Sequence, residues 1–278
     1  MDIKLTDAEF TRLVTYVKSR CGIDLSKKRI LIEGRLARTL TEHNFTTFTA
    51  YIDMIFADKT GAEVSNFINK ITTNHTFFMR EPEHFDFMRS HVLPGIEASV
   101  RNKNARIWCA ASSTGEEPYT MAMVIDEYFG ARKKDWDLKI LATDISTNVL
   151  AKAAEGIYNA ETLEKIPASW KTKYFKQRGS DEYQVVDSIR SQIIYQQFNL
   201  MDPIITKYRQ PFDFISCRNV MIYFDMETKS ALIERFYDVL NDGAYFYIGH
   251  AESVPKTSRF TYVKPAIYQK IANKPGRG

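Results

Sequence analysis

The sequence predicts an α/β protein. An all-helical N-terminal part, residues 1–92, precedes a doubly wound, mostly parallel sheet over residues 93–278, with a small antiparallel β insertion near 178–197. Three observations predict it. Of the 278 residues 44% are hydrophobic and 13% aromatic, which is core material for one large or two ordinary domains and too much for a disordered chain. Up to residue 92 apolar residues recur at helical spacing, with no convincing strand and no internal repeat. From residue 93 short apolar runs alternate with helical stripes, the pattern of strand–helix–strand units whose strands lie parallel.

Thr6-Asp7-Ala8-Glu9 is a capping-box pattern opening a helix that carries Phe10, Leu13, Val14 and Val17, and Gly22 ends it. Ser26 is the expected cap of a second helix through Ile30, Leu31 and Leu36. Thr46 and Thr47 precede a third, with Phe48, Tyr51, Ile52 and Ile55; Val64, Phe67, Ile68 and Ile71 mark a fourth. Leu93-Pro94 begins a bridging segment. Strands are expected at 106–111, 138–143, 193–198, 212–217 and 244–250, and helices at 118–129, 148–154 and 227–240. The polar stretch 179–191, with a short alternating run at 183–186, breaks this rhythm and reads as the strand insertion.

Composition excludes several classes. Twelve glycines and nine prolines are too few for a low-complexity chain. Cys21, Cys109 and Cys217 are far apart and form no C-x-x-C pair, so neither a disulfide framework nor a metal site is expected. The start lacks the apolar run of a signal peptide, and no stretch approaches the ~18 apolar residues of a membrane span. A cytoplasmic protein without membrane insertion is the expectation. A net charge of +4 does not demand nucleic acid as a partner.

In open α/β sheets ligands bind beyond the carboxyl ends of the strands. After 107–111 come Ser112-Ser113-Thr114-Gly115-Glu116-Glu117-Pro118, which is neither a dinucleotide fingerprint nor a phosphate loop. Two carboxylates there suit a ligand bearing positive charge; equally, they complement the helix dipole. Asp144, after the second strand, is placed to accept hydrogen bonds from ribose hydroxyls. Asn199-Leu200 could flank an adenine, although Asn in a loop is commonly a turn residue. Arg218 and Asn219 cap the fourth strand, with Tyr223 four positions beyond; buried strand ends rarely carry such groups without partners. In the helical part, Thr72 to Glu81 sets a polar cluster before two aromatics and Arg80. Alone it reads as a helix cap with Arg80 paired to Glu81 or Glu83.

Together, TTNHTFFMRE, AASSTGEEPYTMA, ATDIS, FNL and CRNVMIYF are collinear, span nearly the whole chain, and resemble the CheR family of chemotaxis receptor methyltransferases. The resemblance implies a methyltransferase sheet domain that uses S-adenosylmethionine, with S-adenosylhomocysteine as product. It also implies transfer of the methyl group to glutamate side chains of chemoreceptors, giving glutamyl methyl esters. By position, it implies that Asn74, Thr76 and Arg80 close the cofactor site and that Ala111 borders it. Glu117 faces the methionine end, with Glu116 as the alternative. Asp144 holds the ribose, Asn199 and Leu200 border the adenine, and Arg218 and Asn219 meet the cofactor beside the reacting centre. Arg80 and Tyr223, the catalytic pair, lie nearest the methyl transfer. The compact stretch 178–186 resembles members that do not bind a C-terminal receptor pentapeptide, so no such tether is expected, and a monomer is.

A glutamate carboxylate, with a reference pKa of about 4.3, is already anionic at neutral pH, so the chemistry needs no general base. Arg80 is suited to orient it and Tyr223 to hold the transferring end. Residues 18–38 hold seven basic and two acidic groups, and Lys28, Arg35 and Arg38 fall within about 80° on a helix. They are the expected docking face for the receptor's acidic coiled coil; a solvated face is the plainer reading. The rivals are an RNA methyltransferase, disfavoured by the absence of interleaved aromatics, and a catalytically silent cofactor-binding adaptor. A nicotinamide dehydrogenase is disfavoured by the missing glycine fingerprint.

Overall fold

The structure is a computed structural model that describes residues 3–71, 76–203 and 210–271. Four helices open it: α1 (Asp7–Cys21), α2 (Arg29–Glu42), α3 (Phe48–Ala57) and α4 (Ala62–Ile71). The Thr6/Glu9 capping box starts α1, and Gly22, at φ 72°, ends it in the left-handed conformation that glycine adopts at little cost. Thr47 caps α3 through the Ala50 N–H. Ser26 does not cap α2. Its N–H is taken by the Asp24 carboxylate at 2.9 Å, the chain turns, and the helix begins three residues later without a side-chain cap.

The expected bridging segment at Leu93-Pro94 is helical. α5 (Pro82–Phe87) runs through a π-helical turn at Met88–Val92 into α6 (Leu93–Ser99), where Pro94 sits in the first turn and needs no N–H partner. Then follow β1 (Ile107–Cys109), α7 (Glu116–Phe129), β2 (Ile140–Asp144) and α8 (Thr147–Glu155). Next come β3 (Ile157–Asn159), α9 (Ala168–Tyr174), β4 (Phe175–Arg178), β5 (Glu182–Val185), α10 (Asp187–Arg190) and β6 (Ile193–Gln197). The chain closes with β7 (Phe212–Ser216), α11 (Met226–Asp238), β8 (Leu240–Tyr247), β9 (Thr261–Lys264) and β10 (Ile267–Gln269).

The large sheet has the order β6-β2-β1-β7-β8-β10-β9, parallel from β6 to β8, with β10 antiparallel to both its neighbours. The order reverses between β1 and β7, so the loops after these two strands meet at the switch point. β3, β5 and β4 form a separate antiparallel sheet. The insertion therefore spans 157–185, and 193–197 belongs to the large sheet. The polar stretch 179–191 holds only the turn and last strand of a unit whose first strand precedes a helix.

Alternation along the strands splits the core. Trp108, Phe212, Ile215 and Phe246 pack with α1–α4 and α11 on one face. Ile107, Cys109, Phe214 and Tyr247 pack with α5–α7 on the other. The helical N-terminal part thus shares its core with the sheet.

Candidate active site

The loop after β1 is folded tightly. Ser112 donates its N–H to the Thr143 carbonyl (2.9 Å), Ser113 has φ 48°, and Gly115 has φ 99° as α7 begins. A Cβ at Gly115 would lie 2.9 Å from Ala153 Cβ and from the Tyr158 and Tyr195 hydroxyls, so only glycine fits. Tyr158 donates to the Thr114 carbonyl at 2.7 Å, pinning the loop from the small sheet. The two glutamates diverge. Glu116 is buried and accepts the Thr114 hydroxyl at 2.7 and 2.9 Å; burial raises its pKa, and Thr114 only partly opposes this. Glu117 lines the cavity, accepts the Ser216 hydroxyl at 2.5 Å, and pairs with Arg218 at 3.0 Å.

Asp144 ends β2. Its carboxylate accepts the N–H groups of Ser113 (2.9 Å) and Ser146 (3.0 Å), while burial raises its pKa. α4 reaches this loop: Asn69 donates to the Ser146 hydroxyl at 2.6 Å, and Ser65 to the Ile145 carbonyl at 2.9 Å. After β6, Leu200 is buried, and the Asn199 amide donates to the Arg20 carbonyl (2.7 Å) while its oxygen accepts the Met201 N–H (3.0 Å).

After β7, Arg218 is a buried guanidinium between two carboxylates, with Glu117 at 3.0 Å and Glu81 at 3.2 Å; it also donates to the Arg80 carbonyl at 2.5 Å. Burial alone would weaken its charge, but Glu117 and then Glu81 raise its pKa. Glu81 is correspondingly held low by Arg218 despite its own burial. Asn219, at φ 60°, donates to Glu81 at 3.3 Å and presses so close to Gly249 that a Cβ there would stand 2.2 Å from its amide nitrogen. Glu252 is buried and accepts the N–H groups of Gly249 (2.6 Å), Asn219 (2.9 Å) and Ile222 (3.2 Å), which fixes the 219–223 turn. The Tyr223 carbonyl accepts the Asp24 N–H at 2.8 Å, tying this turn to the α1–α2 connection.

The segment before α5 hangs on Phe78, which is fully buried and meets Tyr158 and Phe175 edge-on at 4.9 and 5.5 Å. Met79 (φ 59°) and Glu81 (φ 58°) are left-handed on either side of Arg80. Four of the seven non-glycine residues with positive φ among those described, namely Met79, Glu81, Ser113 and Asn219, thus adjoin one cavity. Strain of this kind collects at functional sites.

That cavity has a volume of about 450 Å³ and is lined by Thr76, Arg80, Ala111, Glu117, Asp144, Arg218, Asn219 and Tyr223 of the predicted set. Asn199 and Leu200 line a smaller adjoining space of about 60 Å³ that shares Ala111 and Asp144. Asn74 lies outside the described residues. Lys28, Arg35 and Arg38 are exposed on α2 and its start, away from the cavity lining. Arg38 pairs with Glu42 at 2.7 Å, and Arg35 donates to the Lys70 carbonyl at 3.1 Å. Within the basic cluster, Lys18 is committed to Asp225 at 2.7 Å and Arg29 to Asp7.

The site fits S-adenosylmethionine on its donor set. The cavity is within the ordinary size for a small-molecule site, its carboxylates suit a cationic ligand, and the Ser113 hydroxyl is buried at its wall without a protein partner. Sequence reasoning missed Glu81, Ser113 and Glu252. Glu252 had a signal: it follows β8 within Gly249-His250-Ala251-Glu252, a strand end like the others.

Comparison with known proteins agrees. Residues 74–268 match the CheR methyltransferase, SAM binding domain, and residues 8–72 the CheR methyltransferase, all-alpha domain. The chain is 39% identical over 274 residues to the chemotaxis protein methyltransferase of Borreliella burgdorferi, covering 97% of this chain and 96% of that one. It is 34% identical over 280 residues to chemotaxis protein methyltransferase 2 of Vibrio cholerae (100% and 96%). It is 35% identical over 271 residues to the chemotaxis protein methyltransferase of Escherichia coli (96% and 92%). With both domains matched and the switch-point cavity in place, the chain belongs to the CheR methyltransferase family, S-adenosylmethionine-dependent methyltransferases of chemotaxis.

Proposed function

We propose that the chain methylates glutamate side-chain carboxylates of methyl-accepting chemoreceptors, forming glutamyl methyl esters. The observation that carries this reading is the make-up of the cavity wall. Among the described residues it offers Arg80 and Tyr223 and neither a histidine nor a lysine, and its carboxylates are already engaged, Glu117 by Ser216 and Arg218 and Asp144 by two backbone N–H groups. Methylating an amine or a hydroxyl calls for a base; an ionised carboxylate does not.

S-adenosylmethionine, when bound, supplies an electrophilic methyl carbon on a sulfonium. Asp144 would hold its ribose, Leu200 and the Asn199 backbone would border its adenine, and Ala111, Glu117, Arg218 and Asn219 would contact the remainder, with Thr76 and Asn74 closing the site. Arg80 orients the incoming carboxylate through its planar fork without losing its proton. Tyr223 holds the transferring end by packing and by its hydroxyl. The residues' task is alignment, which supplies ~7–11 kcal/mol in favourable systems. Arg218 is spent on Glu81 and Glu117, so it shapes the wall.

The test is a receptor cytoplasmic fragment incubated with methyl-labelled cofactor, with RNA as control. Alkali-labile label on receptor glutamates is expected, and Arg80→Ala should lower kcat/KM at least ~100-fold, more than its loss of cofactor affinity accounts for. Label on RNA, or cofactor binding without transfer, overturns the reading. The exposed groups Lys28, Arg35 and Arg38 would steer the acidic coiled coil of the receptor. The rate should therefore fall steeply with salt, and charge reversal at Arg35 should flatten that dependence. On the same reading the enzyme acts as a monomer and leaves a receptor C-terminal pentapeptide unbound, which titration of that peptide would check.

A further inference from the structure

We propose that Glu81, His84 and His250, with Glu83 beside His250 within reach as a fourth ligand, form a binding site for a divalent transition-metal ion of the zinc class. One ligand atom from each of Glu81, His84 and His250 lies within 4.8 Å of the others. Glu81 Oε2 stands 3.4 Å from His84 Nδ1 and 4.0 Å from His250 Nε2, and Glu83 Oε1 is 3.0 Å from His250 Nε2. Tetrahedral ligands on bonds of 2.0–2.2 Å sit about 3.3–3.6 Å apart, and the Glu81–His84 and Glu81–His250 separations are within small side-chain shifts of that spacing. Two imidazoles with carboxylate oxygens are a donor set that zinc and its neighbours accept.

The independent observation is His84. Its side chain is fully buried, and neither ring nitrogen has a well-formed hydrogen bond. It packs on Tyr247 at 4.9 Å and meets His250 edge-on at 5.0 Å. Two acceptors approach the ring: the Glu81 carboxylate and the Pro265 carbonyl. A neutral imidazole carries one N–H, so one acceptor must face a lone pair. A cation between Nδ1 and Glu81 resolves the conflict and leaves the other N–H for a backbone carbonyl, the usual support of a metal-bound histidine. Buried polar atoms left unsatisfied call for such an occupant. Glu81 is shared with Arg218 and Asn219, so the ion would stand one side chain from the methyl-donor cavity.

The experiment uses tag-free, chelator-treated full-length protein titrated with CoCl₂ and ZnCl₂. The expected result is one Co²⁺ per chain with visible d–d absorption of a low-coordinate nitrogen–oxygen site, abolished by stoichiometric Zn²⁺. His250 is partly exposed, so His250→Ala should fold, and Glu83→Gln likewise; each should weaken Zn²⁺ at least ~10-fold, and His84→Ala should abolish the band. Absence of saturable one-to-one binding overturns the proposal. So does binding that survives His250→Ala and Glu83→Gln together, since that ion would sit elsewhere on the surface.

Discussion

Glu252 shows how one side chain can hold a reactive turn in place. Its two oxygens gather three backbone N–H groups from Gly249, Asn219 and Ile222, and these are what keep the Arg218-to-Tyr223 turn against the cavity. Burial raises its pKa, and the backbone donors pull the other way. A carboxylate only accepts, so it suits a pocket that only donates. Glu252→Gln keeps the shape but turns an amide NH₂ toward a donor. The expected loss is about 2–3 kcal/mol, read as a lower urea midpoint at constant slope, together with weaker S-adenosylhomocysteine binding. An unchanged midpoint would mean the turn does not depend on these bonds. Glu81, Met79, Ser113 and Asn219 make the complementary point: each has a partner far away in sequence, Arg218, the Thr120 hydroxyl, Asp144 and Glu252 in turn.

At the scale of elements, the β1–α7 loop is fixed by the small antiparallel sheet and α8 together. Tyr158 of β3, Ala153 of α8 and Tyr195 of β6 close over Gly115. Gly115→Ala adds a methyl group at 2.9 Å from all three, on a backbone at φ 99°, and should cost roughly 3 kcal/mol. Tyr158→Phe removes one obstacle and one hydrogen bond, so the double variant should be less destabilised than the sum; strict additivity in a denaturation cycle would dismiss the Tyr158 contact. These dependencies explain what could be read from sequence. α1 was legible because its capping box and terminal glycine are local, and the parallel strands because each is an apolar run bounded by turns. The start of α2 was not, because Asp24 competes for the Ser26 N–H. The β9–β10 hairpin was not, because Pro265-Ala266 turns with Ala266 at φ 61°, where a glycine signal is expected. The loops expected after the strands do come together around one cavity. The Glu81–Arg218–Glu117 triad did not show, since Glu81 and Arg218 are 137 residues apart and only folding joins them.

For the whole molecule, the decisive feature is that the N-terminal helices and the sheet share one hydrophobic cluster. Leu36, Ile52 and Phe67 belong with Trp108, Phe212 and Phe236. The cavity is shared too: Ile23, Ile68 and Asn69 line it opposite Asp144 and Arg218 from the strand ends. Contacts of this kind make the helical part unable to melt without exposing one face of the sheet and opening the cavity. Calorimetry of the full chain is therefore expected to give a single transition. A ligand that binds only the folded cavity stabilises it by RT ln(1 + [L]/Kd), about 2.7 kcal/mol at a hundredfold excess over Kd. For a chain of this size that moves the midpoint by roughly 5–10 °C. S-adenosylhomocysteine should shift the whole transition by that amount, helical and sheet signals together. A lower-temperature component that reports helix loss and ignores the ligand would show that the first four helices are an independent unit. In that case Ile23, Ile68 and Asn69 would be bystanders at the cavity wall.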